Sequence, residues 1–152
     1  MLLAVRPLAR VGFEVNAQGC RSLEEGIELI ADRRRHRRLP KVVLVHLGAN
    51  YSVSTALIRR ALRAVGRRRV LVMVTPRPGR DAQVIRAAGR RWPRRLRVLD
   101  WVHVYAGHRS YFSGDGLHLS ARGVRAFVRL CRPVVALNRQ LTPRRRRVQQ
   151  RR

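Results

Sequence analysis

Asp115 and His118 stand three residues apart across Gly116 in the segment Phe112-Ser113-Gly114-Asp115-Gly116-Leu117-His118-Leu119-Ser120. A glycine between a carboxylate and an imidazole lets the backbone turn and bring the two side chains together. The chemistry this serves is proton abstraction: a carboxylate on Nδ1 fixes the neutral tautomer and leaves Nε2 to accept a proton. Asn50 follows Gly48 at the end of an apolar run, where its amide N–H can face an oxygen that gains negative charge. In other enzymes, removing one such donor costs about 3 to 4 kcal/mol of transition-state stabilisation. Each signal also has a plainer reading, an Asp that caps a helix beside a loop His, and a turn built on Gly and Asn.

The other reactive side chains form no comparable group. Cys20 and Cys131 lie far apart without CxxC spacing, which excludes a disulfide framework and a cysteine-based zinc site. Cys20 is chemically able to act as a nucleophile, but a cysteine more often fills space as a small apolar residue. His46, inside an apolar run, reads as a core histidine with its hydrogen bonds satisfied. His103 and His108 read as loop surface, and no acid or cysteine is spaced to make them metal ligands. Ser52 and Ser54 read as helix-start residues, Ser113 as a turn, and Trp101 as packing at a strand end.

The elements that must position Asn50, Asp115 and His118 alternate. Residues 12–16 read as a short strand, and Ser22 to about Arg35 as a helix capped by Ser22 with Glu25 in a capping box. Leu23, Ile27 and Ile30 share one face of it. Val42 to Leu47 is an apolar, β-branched run suited to a strand covered on both faces of a parallel sheet. Ser54 to Val65 has helical spacing and stops at Gly66. Val70 to Val74 is a second buried strand, Asp81 to Arg91 a helix, and Leu96 to Asp100 a third strand. A last helix runs from Ala121 to about Leu137, with an interruption expected near Pro133. Strands separated by helices of about a dozen residues predict a doubly wound α/β sheet. Residues 101–120 have neither period. In an open sheet of this kind sites form beyond the carboxyl ends of the strands, where Asn50 and the Asp115–His118 segment can converge.

Composition bounds the rest. The chain has 152 residues, 45% of them hydrophobic, enough for one domain that buries roughly two-thirds of its unfolded surface. Residues 1–138 are expected to form that domain and residues 139–152 a basic, disordered tail. No stretch approaches the roughly 20 apolar residues that cross a bilayer, and no signal-peptide core is present. The net charge is +27, and all but Lys41 of the 35 basic residues are arginine, a uniformity that fits a GC-rich genome as well as selection for contacts. Nucleic acid is one partner such charge suggests. Zinc-finger spacing, an RNP-type aromatic motif and a basic region leading into heptads are all missing, so no specific nucleic acid is expected. The tail, with seven arginines and no acid from Arg139 to Arg152, suits non-specific polyanion binding.

Taken in order, Val42 to Asn50 with its LGAN end, Val70 to Pro78, the VLDW block over 98–101 and the DGLHLS block over 115–120 resemble the SGNH (GDSL-type) hydrolases. The likeness covers roughly residues 10 to 130 and is greatest to the SGNH domains attached to membrane O-acyltransferases of bacterial envelope glycans. It implies a flavodoxin-like, three-layer fold with sheet order 2-1-3-4-5. It also implies acyl-ester hydrolysis or O-acyl (acetyl) transfer on a cell-envelope glycan, placed outside the cytoplasm; no cofactor or metal is expected from the residues. An acylated glycan or acyl donor would be the partner, with a membrane acyltransferase domain in the same protein. Carried over by position, Asn50 is the oxyanion donor, Asp115 the orienting carboxylate and His118 the base. A second oxyanion donor falls at Gly19 if the register slips by one, and at Cys20 otherwise.

The chain departs from that pattern in several places. The family's Gly-Asp-Ser block, which supplies the serine nucleophile and the first strand, does not occur in the 152 residues, and residues 1–10 read as the remainder of the helix that follows it. Tyr51 stands where the family often has glycine, and Gly79 where it often has tryptophan. A sheet without its first strand leaves apolar edges, so a truncated or mis-started chain, unstable and inactive alone, is the expectation. Loss of the serine of a triad costs roughly a million-fold in one protease. The alternatives are a non-catalytic remnant that still holds a glycan, and a basic nucleic-acid-binding protein.

Overall fold

The computed structural model describes residues 2–142. A 3-10 turn over Leu2–Ala4 leads into helix α1 (Val5–Arg10). Then follow α2 (Leu23–Arg35), β1 (Val42–Val45), α3 (Thr55–Val65), β2 (Val70–Val74), α4 (Arg80–Arg91), β3 (Leu96–Leu99), α5 (Trp101–Tyr105) and α6 (Ala121–Leu141). The three strands form one parallel sheet in the order β1-β2-β3, with Val42 opposite Val70 and Leu71 opposite Leu96. This is the α/β, helix-sheet-helix architecture expected from the sequence.

The apolar, β-branched strands require cover on both faces, and the helices divide accordingly. Val45, Leu71, Met73 and Leu96 point to one side, where they bury against Leu23, Ile27 and Ile30 of α2, Ile58, Ala61 and Val65 of α3, and Ile85 of α4. Val42, Val72 and Val74 point to the other, against Leu8 of α1 and Phe127, Cys131 and Val134 of α6. Each fully buried Val, Leu or Phe contributes about 1.5 to 3 kcal/mol of transfer free energy. Helix starts follow local chemistry. Ser22 and Glu25 form the reciprocal capping box, Ser54 accepts from Leu57 N, and Ser120 accepts from Gly123 N.

Five expectations are corrected. Residues 12–16 are not a strand: Phe13 and Val15 are half-buried and alternate with exposed Gly12, Glu14 and Asn16, but no neighbouring strand among the described residues offers a ladder, and the sheet begins at β1. The run from Val42 stays in the sheet only to Val45. Residues 101–120 are not wholly irregular, since Asp100 caps the one-turn helix α5 and a 3-10 turn spans Arg109–Tyr111. Pro133 does not interrupt α6. Pro133 and Arg129, whose carbonyl loses its amide partner there, both lie on the exposed side, where the orphaned oxygen is open to solvent and the cost is small. Because α6 runs to Leu141, the first residues of the expected 139–152 tail are helical, and those from Pro143 onward lie outside the described residues.

Candidate active site

All three strands run in one direction, so the loops after β1, β2 and β3 leave from one edge of the sheet. Helix α6 runs back against them: Asn138, near its C-terminus, accepts from Val42 N at the start of β1. Its N-terminus at Ser120 therefore returns the 112–120 loop to the carboxyl edge, where Asn50 follows β1. The start of α2 reaches the same edge, because a Cβ at Gly26 would lie 2.5 Å from the Leu47 side chain.

At that edge Asp115 and His118 meet as their spacing suggests. Asp115 Oδ2 lies 2.6 Å from His118 Nδ1, and Oδ1 accepts from the backbone N–H of Leu117 and of His118, each at 2.9 Å. Gly116 sits at φ 65°, left-handed backbone that glycine adopts without penalty. Hydrogen bonding from the His118 ring first, and from the two backbone amides next, holds the Asp115 carboxyl well below the usual carboxylate range. The carboxylate thus remains charged, and Nε2 is the nitrogen free to exchange a proton. Among the described residues the imidazole has Asp115 as its one hydrogen-bonding partner.

The loop is fixed by what flanks it. Ser113 N donates to His118 O at 2.7 Å, and Phe112 pairs with Leu119 in an antiparallel bridge. Ser120 N donates to Tyr111 O, and Ser120 Oγ to Ser110 O at 2.6 Å, while the same hydroxyl caps α6. A methyl group at Gly123 would land on the Tyr111 carbonyl, so only glycine lets α6 start that close to the loop. Tyr111 in turn stacks on the ring of Trp101, which is buried edge-on against Phe127.

Sequence reasoning missed the network that seats this segment. Asp100, just past β3, takes a bidentate pair from Arg86 (Nε to Oδ2 2.7 Å, Nη2 to Oδ1 2.9 Å), a hydrogen bond from the buried Thr75 hydroxyl, and the His103 N–H that begins α5. Thr75 Oγ1 also accepts from Val102 N. Arg86 is the main cause of the lowered Asp100 pKa. These partners come from α4 and from the end of β2, and no short motif connects them. Asp81 was missed in the same way: its carboxylate accepts from Val53 N at 2.9 Å and ties the loop carrying Asn50 to the start of α4.

The remaining candidates are placed but not joined. Asn50 is exposed, and its amide is unpaired among the described residues; Gly48 before it has φ 107°. Gly19 and Cys20 are exposed in the turn ahead of α2, Cys20 at φ 54°, and Arg21 braces that turn through Asn16 and Gln18. No hydrogen bond links Asn50, Gly19 or Cys20 to the Asp115–His118 pair. Cys131 is buried in the core, which pushes its thiol up to about 12. His103 and His108 are both exposed; His108 lies in a loop as expected, whereas His103 stands in the one-turn helix α5. His46 differs from expectation: its ring packs on Phe127, but both ring nitrogens are buried without a partner. Desolvation lowers its pKa to about 4, so it is a neutral histidine.

A crystal structure superposes on this fold, that of the lipase/acylhydrolase from Enterococcus faecalis. The match has a TM-score of 0.64 and 20% identity, and covers 93% of this chain and 86% of that one. The chain shares the fold of that protein. No protein-family model matches the sequence, and no curated protein matches it. At 20% identity the likeness concerns the fold alone.

Proposed function

We propose that this lipase/acylhydrolase-like domain serves acyl-ester hydrolysis or O-acyl transfer on an acylated cell-envelope glycan, outside the cytoplasm and in company with a membrane acyltransferase domain. The observation that carries the proposal is the 2.6 Å contact of Asp115 Oδ2 with His118 Nδ1, on a loop whose backbone secures the other carboxylate oxygen. In the reaction an attacking hydroxyl gives its proton to His118 Nε2 as its oxygen bonds to the acyl carbon. Charge then grows on the carbonyl oxygen, which the Asn50 amide, with Gly19 or Cys20 as the second donor, would stabilise. Collapse of the intermediate returns the proton from Nε2 to the departing alcohol oxygen. Asp115 keeps the imidazole in the competent tautomer and offsets its charge once protonated.

The Gly-Asp-Ser motif is absent from the sequence, and among the described residues no hydroxyl or thiol donates to His118. The 152-residue chain is therefore expected to release p-nitrophenolate from p-nitrophenyl acetate no faster than free imidazole does. The same domain joined to an upstream strand ending in Gly-Asp-Ser is expected to turn the ester over and to lose that activity with His118→Ala. An extended chain that folds cooperatively yet leaves the ester intact would overturn the proposal, as would turnover that survives His118→Ala. The missing hydroxyl also favours a second reading, retention of an acylated glycan without turnover, which binding of an O-acetylated polysaccharide by the 152-residue chain would report.

A further inference from the structure

The opposite, amino edge of the sheet carries a groove of about 330 Å³ lined by Arg34, Arg59, Arg63, Arg67, Arg95 and Trp92, with Leu62 and Gly66 as its floor. It lies where α3 ends and β2 and β3 begin, a strand's length from Asn50 and His118. Its lining contains five guanidinium groups and no carboxylate. The ion pairs among the described residues join Arg33 to Glu14, Arg35 and His36 to Asp32, Arg86 to Asp100, and His118 to Asp115. None involves an arginine of the groove, so charge gathered there is uncompensated.

Two of the five are held in fixed positions. Arg34 Nη1 donates to the carbonyls of Arg63 (2.7 Å) and Ala64 (3.1 Å), and Arg95 Nη2 to those of Leu62 (3.1 Å) and Gly66 (3.0 Å). These bonds neutralise the last carbonyls of α3 and immobilise both guanidinium planes, each with further N–H donors unspent. Arg95 Nε is buried without a partner and is not among the donors that face the groove. Arg59 and Arg63 are four residues apart, so their exposed side chains rise from one face of α3 about 6 Å from each other along its axis. Like charges at that spacing repel. Trp92 adds a half-buried aromatic wall, with the Arg91 guanidinium 5.4 Å from its ring centre.

We propose that this groove binds a ligand with several linked phosphates, an oligophosphate chain either free or carried by a nucleoside. Pre-set guanidinium forks match phosphate oxygens in pairs, and a polyanion relieves the repulsion among all five cations at once. A monoanion would leave most of that repulsion in place. The site is separate from the ester chemistry of the other edge and stands whether or not that chemistry is correct.

The test is a titration of the 152-residue chain with sodium tripolyphosphate at physiological ionic strength, following Trp92 fluorescence, with Trp92→Phe to assign the signal. The expected result is saturable binding of one molecule per chain, weakened by about tenfold or more in Arg59→Gln/Arg63→Gln, a loss of about 1.4 kcal/mol. Arg129→Gln/Arg132→Gln, which removes two exposed arginines of α6 outside the groove, is the charge-matched control and should bind as the parent does. Equal weakening in both variants, or uptake without a fixed stoichiometry, would overturn the proposal in favour of diffuse attraction by an arginine-rich surface. Tighter binding of ATP than of tripolyphosphate would place a nucleoside against Trp92, and equal binding would assign the phosphate chain alone; both uphold the site.

Discussion

The two edges of the sheet are built on opposite principles. At the carboxyl edge Asp81, Asp100 and Asp115 each accept specific hydrogen bonds, and Gly48, Gly116 and Gly123 occupy places that a side chain would strain or block. At the amino edge five arginines face one groove with no carboxylate among them. Three of the chain's eight acidic residues are thus committed to the loops that hold Asn50 and His118. Geometry has been secured on one side, and charge left unsatisfied on the other. A single substitution should therefore cost kilocalories at the first edge and tenths at the exposed Arg59, Arg63 and Arg67 of the second, Arg34 and Arg95 being held by the α3 carbonyls.

The largest effect is expected from Gly123→Ala. The added methyl meets the Tyr111 carbonyl, and either α6 or the loop must move, at a cost of about 3 kcal/mol. Urea denaturation followed by tryptophan fluorescence would measure it, and a loss near zero would mean that the loop is not locked to α6.

Acid should weaken the fold through His46. Its pKa is near 4 in the folded state and 6.5 when free, so below pH 6.5 the unfolded chain takes up a proton that the native chain refuses. Stability then falls between about pH 6.5 and 4, by up to about 3 kcal/mol, and levels off below. His46→Leu is expected to remove that contribution to the pH dependence and, by eliminating two unpaired buried nitrogens, to gain about 1 kcal/mol at neutral pH. Parallel pH-stability profiles for the two chains would contradict the burial assigned to this ring.

Asp100→Ala comes next. It leaves Arg86 and the buried Thr75 hydroxyl without their acceptor and frees the start of α5, for a loss of about 2 kcal/mol. Amide exchange should rise over residues 101–111 first. At the other edge Arg63→Gln removes one of several like charges and should raise stability by only about 0.2 to 0.5 kcal/mol at low salt, a gain that added salt erases. A loss of stability there would show that the groove arginines are structural and not poised for a ligand.

The sequence revealed most where the controlling interactions are local. The Ser22/Glu25 capping box, the stop at Gly66 and the strand Val70–Val74 were readable because each depends on neighbours a few residues away or on simple burial. The Asp115–His118 contact was readable for the same reason. What escaped depends on distant partners: Arg86 and Thr75 on Asp100, Asp81 on Val53, and the two arginines that cap α3 from α2 and from the start of β3. Residues 12–16 misled because alternating burial is a necessary sign of a strand and an insufficient one, the ladder partner being supplied from elsewhere. Pro133 misled because its cost depends on whether the freed carbonyl faces core or water. His46 misled because its position in an apolar run shows burial but not whether a partner reaches the ring.

The central claim is that Asp115 sets His118 as a base with its proton on Nδ1, and ring-nitrogen NMR of the 152-residue chain tests it most directly. At a pH where the ring is neutral, the His118 nitrogens are expected to show the Nδ1–H form in the parent chain and the Nε2–H form that free histidine favours in Asp115→Ala, with the fold otherwise intact. A parent chain already in the Nε2–H form, or a tautomer unchanged by Asp115→Ala, would contradict the claim.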